Sequence, residues 1–324
     1  MLIVGLQGSP RKGGNTDDLL AAFLAKAGQA GAEVKTIQVA RAGIVPCKGC
    51  GYCETHGTCV IADDPMSTEI YGLLREADLV VAATPVFFYG ASAQLKVLID
   101  RCQTLWSRKY VVKLKDPLAG TRKGLLFSVA ASRGRQLFDG IHLSTKYFFD
   151  AIDATFSHAL TYRGIESKGA IRDREGLVAD IDEAIEKTVL PLVNRKKVLF
   201  ISPVGACRAP MAAAMAQQRY GDSIRTGFGG SSPASALHEP MVQAMQRAGV
   251  DMGYLRPQAI EQAFCGATPD LTIVIGVDAG ERPVAGKTTR SWSLHGPSSS
   301  DDETMDRLRL EVEAYVDTLM QSFN

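Results

Sequence analysis

Two kinds of hydrophobic pattern alternate along the chain. Short runs that are apolar at nearly every position give way to longer stretches in which apolar residues recur every three or four positions. LIVGLQ reads as a buried strand, GSPRKGGNT as a loop with Thr16 as helix cap, and DDLLAAFLAKAGQAG as a helix. EVKTIQV, DLVVAATPVFF, GLLFSVAAS and ATFSHALTYRG read as further strands. Between them lie helices in ASAQLKVLIDRCQ and through Lys146 to Ala151, and one from Leu177 to Val193 follows the last strand. Strands apolar throughout and separated by helices predict a doubly wound parallel sheet covered on both faces. Asn194-Arg195-Lys196-Lys197 then forms a polar joint, and the alternation starts afresh. VLFISP, a helix Met211–Tyr220, SIRTGF, a helix Glu239–Ala248, DLTIVIGV and a last helix from Asp301 complete it. The pattern therefore divides the chain into a larger α/β domain, 1–194, and a smaller one, 195–324.

Composition narrows the class. The 324 residues suffice for two domains with proper cores, and 46% hydrophobic with 22% charged residues is ordinary for a globular protein. Net charge is +1, from 36 basic and 35 acidic side chains, which gives no electrostatic reason to expect nucleic acid or an anionic membrane as partner. The apolar start is too short for a signal peptide. The longest apolar stretch, Leu79 to Ala91, is broken by Pro85 and falls short of the ~18 residues of a membrane span. A cytoplasmic location with reduced thiols is the expectation, and an odd cysteine count, seven, speaks against a disulfide framework.

Two loops carry candidate binding chemistry. Gly8 to Thr16 sits between a strand and a helix, where backbone N–H groups converge on an anion. Ser9, Asn15 and Thr16 add hydroxyl and amide groups there, and Arg11 adds charge. After the third strand, Pro85-Val86-Phe87-Phe88-Tyr89-Gly90 offers backbone and aromatic atoms suited to a planar ring at the carboxyl edge of the sheet. Alternatively, these aromatics are core. GSPRKGGNT, then TPVFFYGASAQLK, then Ala131-Ser132-Arg133-Gly134 after strand four, resemble the NADPH-dependent FMN reductase group of flavodoxin-like proteins over about residues 1–190. The resemblance implies that Ser9, Arg11, Asn15 and Thr16 hold the FMN phosphate. It also implies that Pro85 to Gly90 flank the isoalloxazine ring, with Ser132 and Arg133 nearby.

Four of the cysteines fall within PCKGCGYCETHGTC, as Cys47, Cys50, Cys53 and Cys59. Structural zinc usually takes two C-x-x-C knuckles across a longer loop. C-x2-C-x2-C-x5-C instead begins like a ferredoxin run and departs from it at Cys59, which is followed by Val60 and not by proline. A [4Fe–4S] cluster, unmetallated structural thiols and zinc are the three readings. Placed inside a flavodoxin-like domain, the motif resembles that of the iron–sulfur flavoproteins, which implies one [4Fe–4S] cluster close to FMN and a reduced ferredoxin-type donor. Cys102 and Cys265 read as packing residues.

The strand–loop–helix at VLFISPVGACR, with GYLRPQAI, DLTIVIGVD and RSWSLHGP downstream, resembles low-molecular-weight protein tyrosine phosphatases and related arsenate reductases over about residues 197–322. Their loop is C-x5-R, in which a thiolate attacks and amides plus arginine cradle an oxyanion. Counting back from Arg208, the nucleophile's position holds Ser202. Cys207 is directly beside the arginine. Gly296, not aspartate, precedes Pro297, and VIGVDAGERPVAG lacks the reductases' further cysteines. The domain is therefore expected to be catalytically inactive, with Ser202, Gly205, Cys207 and Arg208 as a candidate oxyanion loop.

Together these features predict an FMN-dependent oxidoreductase passing electrons through FMN and a [4Fe–4S] cluster, with ferredoxin or NAD(P)H as donor. An NAD(P)H-dependent FMN or quinone reductase without a cluster is one alternative. A redox sensor whose inactive phosphatase-like domain binds an anion or a partner is another. The resemblance also implies a homo-oligomer.

Overall fold

The computed structural model describes residues 1–276 and 287–321, with the side chains of Cys265, Met320 and Gln321 left out. Contacts divide it into two compact units: residues 1–113 with 119–194, and residues 114–118 with 195–324.

The first unit runs β1 (Leu2–Gln7), α1 (Asn15–Gln29), β2 (Glu33–Gln38), α2 (Tyr52–His56), α3 (Tyr71–Glu76), β3 (Leu79–Pro85), α4 (Ala93–Arg101) and α5 (Gln103–Tyr110). It continues with β4 (Lys123–Ala130), α6 (Asp139–Ala151), β5 (Thr155–Arg163), α7 (Leu177–Thr188) and α8 (Leu190–Val193). All five strands pair in parallel in the order β2-β1-β3-β4-β5. This is the flavodoxin-like order of doubly wound sheets. The central strands are covered on both faces, and every residue of β1 is buried. On one face Leu19, Leu20 and Phe23 of α1 pack with Leu177 and Ile181 of α7, and the Phe23 and Phe127 rings meet edge to face at 5.0 Å. On the other, Leu74, Leu95, Leu98 and Phe148 close the second core.

The second unit runs β6 (Lys196–Ile201), α9 (Arg208–Tyr220), β7 (Ile224–Gly229), α10 (Glu239–Arg247), β8 (Leu271–Ile275), β9 (Thr289–Trp292) and α11 (Asp302–Gln321). Its sheet is again parallel, in the order β7-β6-β8-β9. Lys115 joins this unit by exchanging backbone hydrogen bonds with Gly249 and Asp251.

Several boundaries differ from the sequence reading, each for a local reason. Gly14, not Thr16, holds the cap position of α1, and Thr16 is buried in the first turn. β3 stops at Pro85, which has no N–H to continue a ladder. Phe87, Phe88 and Tyr89 form a turn closed by mutual Phe87–Gly90 hydrogen bonds. All three rings are exposed, Phe88 completely, so the reading of these aromatics as core is wrong. The helix expected over Leu177–Val193 breaks at Val189, with Pro191 in the first turn of α8. Lys196 and Lys197, expected in the polar joint, open β6, and α9 starts three residues before Met211. β9 has no counterpart in the sequence reading, because four residues, three of them exposed, carry almost no apolar signal. Residues 277–286, which end DLTIVIGV and fill most of VIGVDAGERPVAG, lie outside the described residues.

Candidate functional site: two clefts in the first unit

In the first sheet, β1 connects outward to β2 on one side and β3 lies on the other, so the chain reverses direction between β1 and β3. Ligands in open α/β sheets bind at such a switch point, beyond the strands' carboxyl ends. The loops leaving β1 and β3 meet there and are fixed to each other. The Gly8 amide donates to the Ala83 carbonyl at 2.8 Å, and the Ser92 hydroxyl donates to the Gly8 carbonyl at 2.6 Å. A Cβ on Gly8 would stand 2.8 Å from Leu95 Cβ and 2.9 Å from the Ala83 carbonyl, so only glycine lets the loop sit this close.

A cleft of about 400 Å³ opens at this point. Ser9, Arg11, Asn15, Thr16, Pro85, Val86 and Phe87 line it, together with Ala131, Glu166 and Lys168. Phe88, Tyr89, Gly90, Ser132 and Arg133 are not among its lining residues. Tyr89 leans on Gly134, and Arg133 lies against Gly164. The first amides of α1 have no intrahelical acceptor, and Gly14 supplies no side-chain cap. Together with Arg11, Lys12 and Lys168 they form a cationic, donor-rich rim, which suits a phosphate. Asn15, which lines the cleft, is also tied to a distant segment. Its side chain donates to the Ser167 carbonyl (2.9 Å) and accepts from the Ile171 amide (3.2 Å), tying the loop to the segment after β5. Ser9 Oγ accepts from the Arg11 amide at 3.2 Å, which shapes the loop from within. Gln7, the last residue of β1, accepts from the Ser9 amide at 2.7 Å; it does not line the cleft, and its buried Nε2 has no hydrogen-bond partner among the described residues. The uncapped α1 amides and the basic side chains at the rim are what fit an absent anionic ligand. Sequence reasoning missed Lys168 and Glu166. Their signal was position alone, in the loop leaving the fifth strand at the same sheet edge.

The second cleft, about 450 Å³, is lined by all four cysteines of the motif, Cys47, Cys50, Cys53 and Cys59. Gly49 (φ 64°) and Gly51 (φ 70°) take left-handed conformations between the first three thiols, turning the backbone in a way side chains resist. Cys47 and Cys50 are exposed, Cys59 is half-buried, and Cys53 is buried, accepting from the Ser107 hydroxyl at 3.4 Å. Among the described residues no three His, Cys, Asp or Glu side chains stand close enough together to hold a metal ion. The cleft thus has the donor set that an iron–sulfur cluster requires, while the sulfurs stand apart in this conformation. Cys102, by contrast, is fully buried in the core, and burial pushes its thiol pKa up, as a packing residue requires. The side chain of Cys265 lies outside the described residues.

Under this cleft lies a buried ion pair. Arg101 donates to both carboxylate oxygens of Asp64, and the pair's side chains are 0% and 5% exposed. Burial works against the Asp64 carboxylate, but hydrogen bonds from Arg101 and from the Val45 and Ser67 amides outweigh it, and its pKa falls below the ordinary value.

Residues 1–149 match the NADPH-dependent FMN reductase family. An iron–sulfur flavoprotein of Methanosarcina thermophila is 39% identical over 128 residues, which cover 38% of this chain and 66% of that protein. One from Methanocaldococcus jannaschii is 41% identical over 105 residues, covering 32% and 53% respectively. The chain thus spans about half to two thirds of the length of these curated relatives. A protein of Halobacterium salinarum named as a putative arsenate reductase is 26% identical over 133 residues, 39% of this chain and 91% of that one. The first unit resembles the FMN reductases and iron–sulfur flavoproteins, and the second resembles arsenate reductase.

In the second unit the loop 202–207 leaves β6 at the equivalent switch point and runs into α9. Two of its amides are already engaged. The Ser202 amide donates to the Gly229 carbonyl and the Gly205 amide to the Ser202 carbonyl, both at 3.2 Å. Gly205 (φ 58°) abuts the backbone of Gly229 and Gly230. Ser202 is buried, and Arg208 turns its guanidinium to the Leu294 carbonyl at 2.6 Å. Burial raises the Cys207 thiol pKa to about 11 against the opposing pull of Arg208. Among the described residues no helix is long and apolar enough to cross a membrane.

Proposed function

We propose that this chain is an FMN-dependent oxidoreductase of the iron–sulfur flavoprotein kind, with FMN in the first cleft and a [4Fe–4S] cluster in the second. The observation that carries this reading is the position of both clefts at opposite ends of one helix. Ser92, the cap of α4, is bonded to the phosphate-type loop, and Arg101, its last residue, lines the cysteine cleft. Nine helical residues span about 13 Å at 1.5 Å per residue, so α4 fixes the two sites within a short distance of each other. When bound, FMN exchanges electrons singly or in pairs and the cluster exchanges them singly. The chain's own groups hold and orient: the α1 amides, Arg11 and Lys168 would take the phosphate, and Pro85, Val86 and Phe87, which line the cleft, would border the ring. The four thiols would supply the cluster's protein ligands.

The same reading takes a ferredoxin-type protein or NAD(P)H as electron donor, a homo-oligomeric assembly, and a cytoplasmic setting where the thiols stay reduced. Mixing the anaerobic protein with a reduced low-potential ferredoxin and, separately, with NADPH distinguishes the donors by the rate of flavin bleaching. Fast bleaching by ferredoxin that is lost in Cys50→Ser, with FMN still bound, supports the cluster route. Equal bleaching of both proteins by NADPH favours a cluster-free reductase.

The second unit we assign a non-catalytic role. Ser202 has no ionisable thiol to offer, Cys207 is protonated at neutral pH, and Arg208 is committed to a backbone carbonyl, which supports absence of phosphatase or arsenate reductase turnover. Hydrolysis of an aryl phosphate, or arsenate reduction with a thiol reductant, above a buffer blank would overturn that assignment.

A further inference from the structure

Arg101 is distinctive in how its five N–H donors are distributed. Nη1 donates to the Val45 carbonyl at 2.7 Å and to Asp64, and Nη2 to Asp64 at 3.1 Å, the Ile61 carbonyl at 3.3 Å and Ser67 Oγ at 3.1 Å. Val45 and Ile61 stand just before and just after the segment that holds all four motif cysteines. One guanidinium therefore clamps both ends of that segment, and Asp64 holds the clamp by also accepting from the Val45 amide at 3.0 Å. The fifth donor, Nε, is buried and has no hydrogen-bond partner among the described residues. Arg101 itself lines the cysteine cleft. Buried N–H groups of a charged side chain are rarely left without an acceptor, because the desolvation loss is then uncompensated. The oxygen acceptors that Arg101 reaches are all bonded to its two Nη atoms. The cleft's lining side chains that carry acceptors are Glu54, Asp100, Gln103, Thr104 and the four cysteines, and none of them bonds Nε in this structure. Burial works against the guanidinium's charge, and the hydrogen-bonded Asp64 carboxylate favours it.

We propose that Arg101 is the positioning residue of the cysteine site: its Nη atoms close the ligand segment, and its Nε–H donates to a sulfur of the bound cluster. This rests on the reading that the cleft holds an iron–sulfur cluster. Two consequences follow from the chemistry. Partners that orient ligands from behind typically change metal retention by about 10–100-fold when removed. A hydrogen bond from a cation to a cluster sulfur stabilises the reduced, more negative state, so losing it lowers the midpoint potential. Lysine at 101 keeps the charge and reaches Asp64, yet lacks both the fork and the Nε donor.

The test compares the wild-type chain, Arg101→Lys and Arg122→Lys after anaerobic reconstitution with iron and sulfide. Arg122 is the control, an equally buried arginine of the same unit that bonds the Ala77, Ile152 and Arg75 carbonyls and does not line the cysteine cleft. FMN content verifies folding. Arg101→Lys is expected to lose its cluster to an iron chelator about 10–100-fold faster than wild type. The cluster it retains should have a lower midpoint potential, and Arg122→Lys should match wild type in both. Equal retention and equal potential in Arg101→Lys and wild type overturn the proposal while leaving the cluster reading intact. A wild type that takes up no iron overturns the cluster reading itself, and the proposal with it. A third measurement needs no variant: in the wild-type chain labelled with 15N-arginine, one Nε–H resonance should shift or broaden on cluster loading. If none does, the donor role is refuted.

Discussion

The buried Asp64–Arg101 pair gives a magnitude that can be checked without any cluster. Asp64→Ala removes the carboxylate and leaves an almost fully buried guanidinium with no countercharge, and the Val45 amide loses its acceptor, while the Ser67 amide keeps the Asp64 backbone carbonyl. Breaking one partner of a buried pair costs about 3–5 kcal/mol. Asparagine still accepts one hydrogen bond from Arg101, so Asp64→Asn should fall near ~3 kcal/mol and Asp64→Ala near ~5 kcal/mol. For a unit of this size each kcal/mol moves the melting temperature by about 2–4 °C, which gives roughly 6–12 °C for Asp64→Asn. The pH dependence has a defined sign. Because the folded pKa of Asp64 is depressed, the pair's stabilisation is complete above the ordinary carboxylate value of about 3.9 and is lost as pH falls through the lower folded value. Calorimetry of the iron-free, FMN-loaded chain at pH 7, repeated toward pH 3, measures both. A loss under about 1 kcal/mol at pH 7, the range of an exposed pair, would refute the argument that this pair is buried and uncompensated when broken.

Other consequences are equally direct. Gly8→Ala forces a Cβ into Leu95 and the Ala83 carbonyl, so it should destabilise the unit by about 1–3 kcal/mol and weaken FMN binding, read by flavin fluorescence. Gly14→Ala meets only Arg11 atoms, at 3.4 Å and beyond, with a negative φ, and should leave FMN binding within a few-fold of wild type. Lys168→Glu places a carboxylate beside the phosphate-type loop and should weaken FMN more than riboflavin, a difference that isothermal titration resolves. Iodoacetamide should modify Cys207 slowly at pH 7 and progressively faster toward pH 11, as mapped by mass spectrometry; fast labelling at neutral pH would contradict a protonated, partly buried thiol.

How much of this is legible in the sequence depends on where the signal lies. The central strands are apolar at consecutive positions because both faces are covered, so β1, β3 and β4 announce themselves. The edge strand β9 has one buried residue, Trp292, and periodicity has nothing to detect in a single position. The phosphate-type loop is readable from its small residues and its place between strand and helix. Lys168 is not, because it comes from a distant segment that only the parallel sheet order brings to the same edge. The cysteine spacing points to one shared site, and the four thiols do line one cleft. Nothing in the spacing could reveal Arg101, whose role depends on the C-terminal end of α4 reaching beneath the motif. The aromatic turn misleads for a related reason: Pro85 ends the strand, so the rings that follow leave the sheet and face solvent.

The most direct test of the central claim is the anaerobic absorption spectrum of the purified chain, taken with its FMN, iron and sulfide content, for wild type and Cys47→Ala. The account predicts one FMN with about four iron and four sulfide in the wild type, and FMN alone in Cys47→Ala. A wild type that binds FMN but takes up no iron under reducing, anaerobic reconstitution would contradict it.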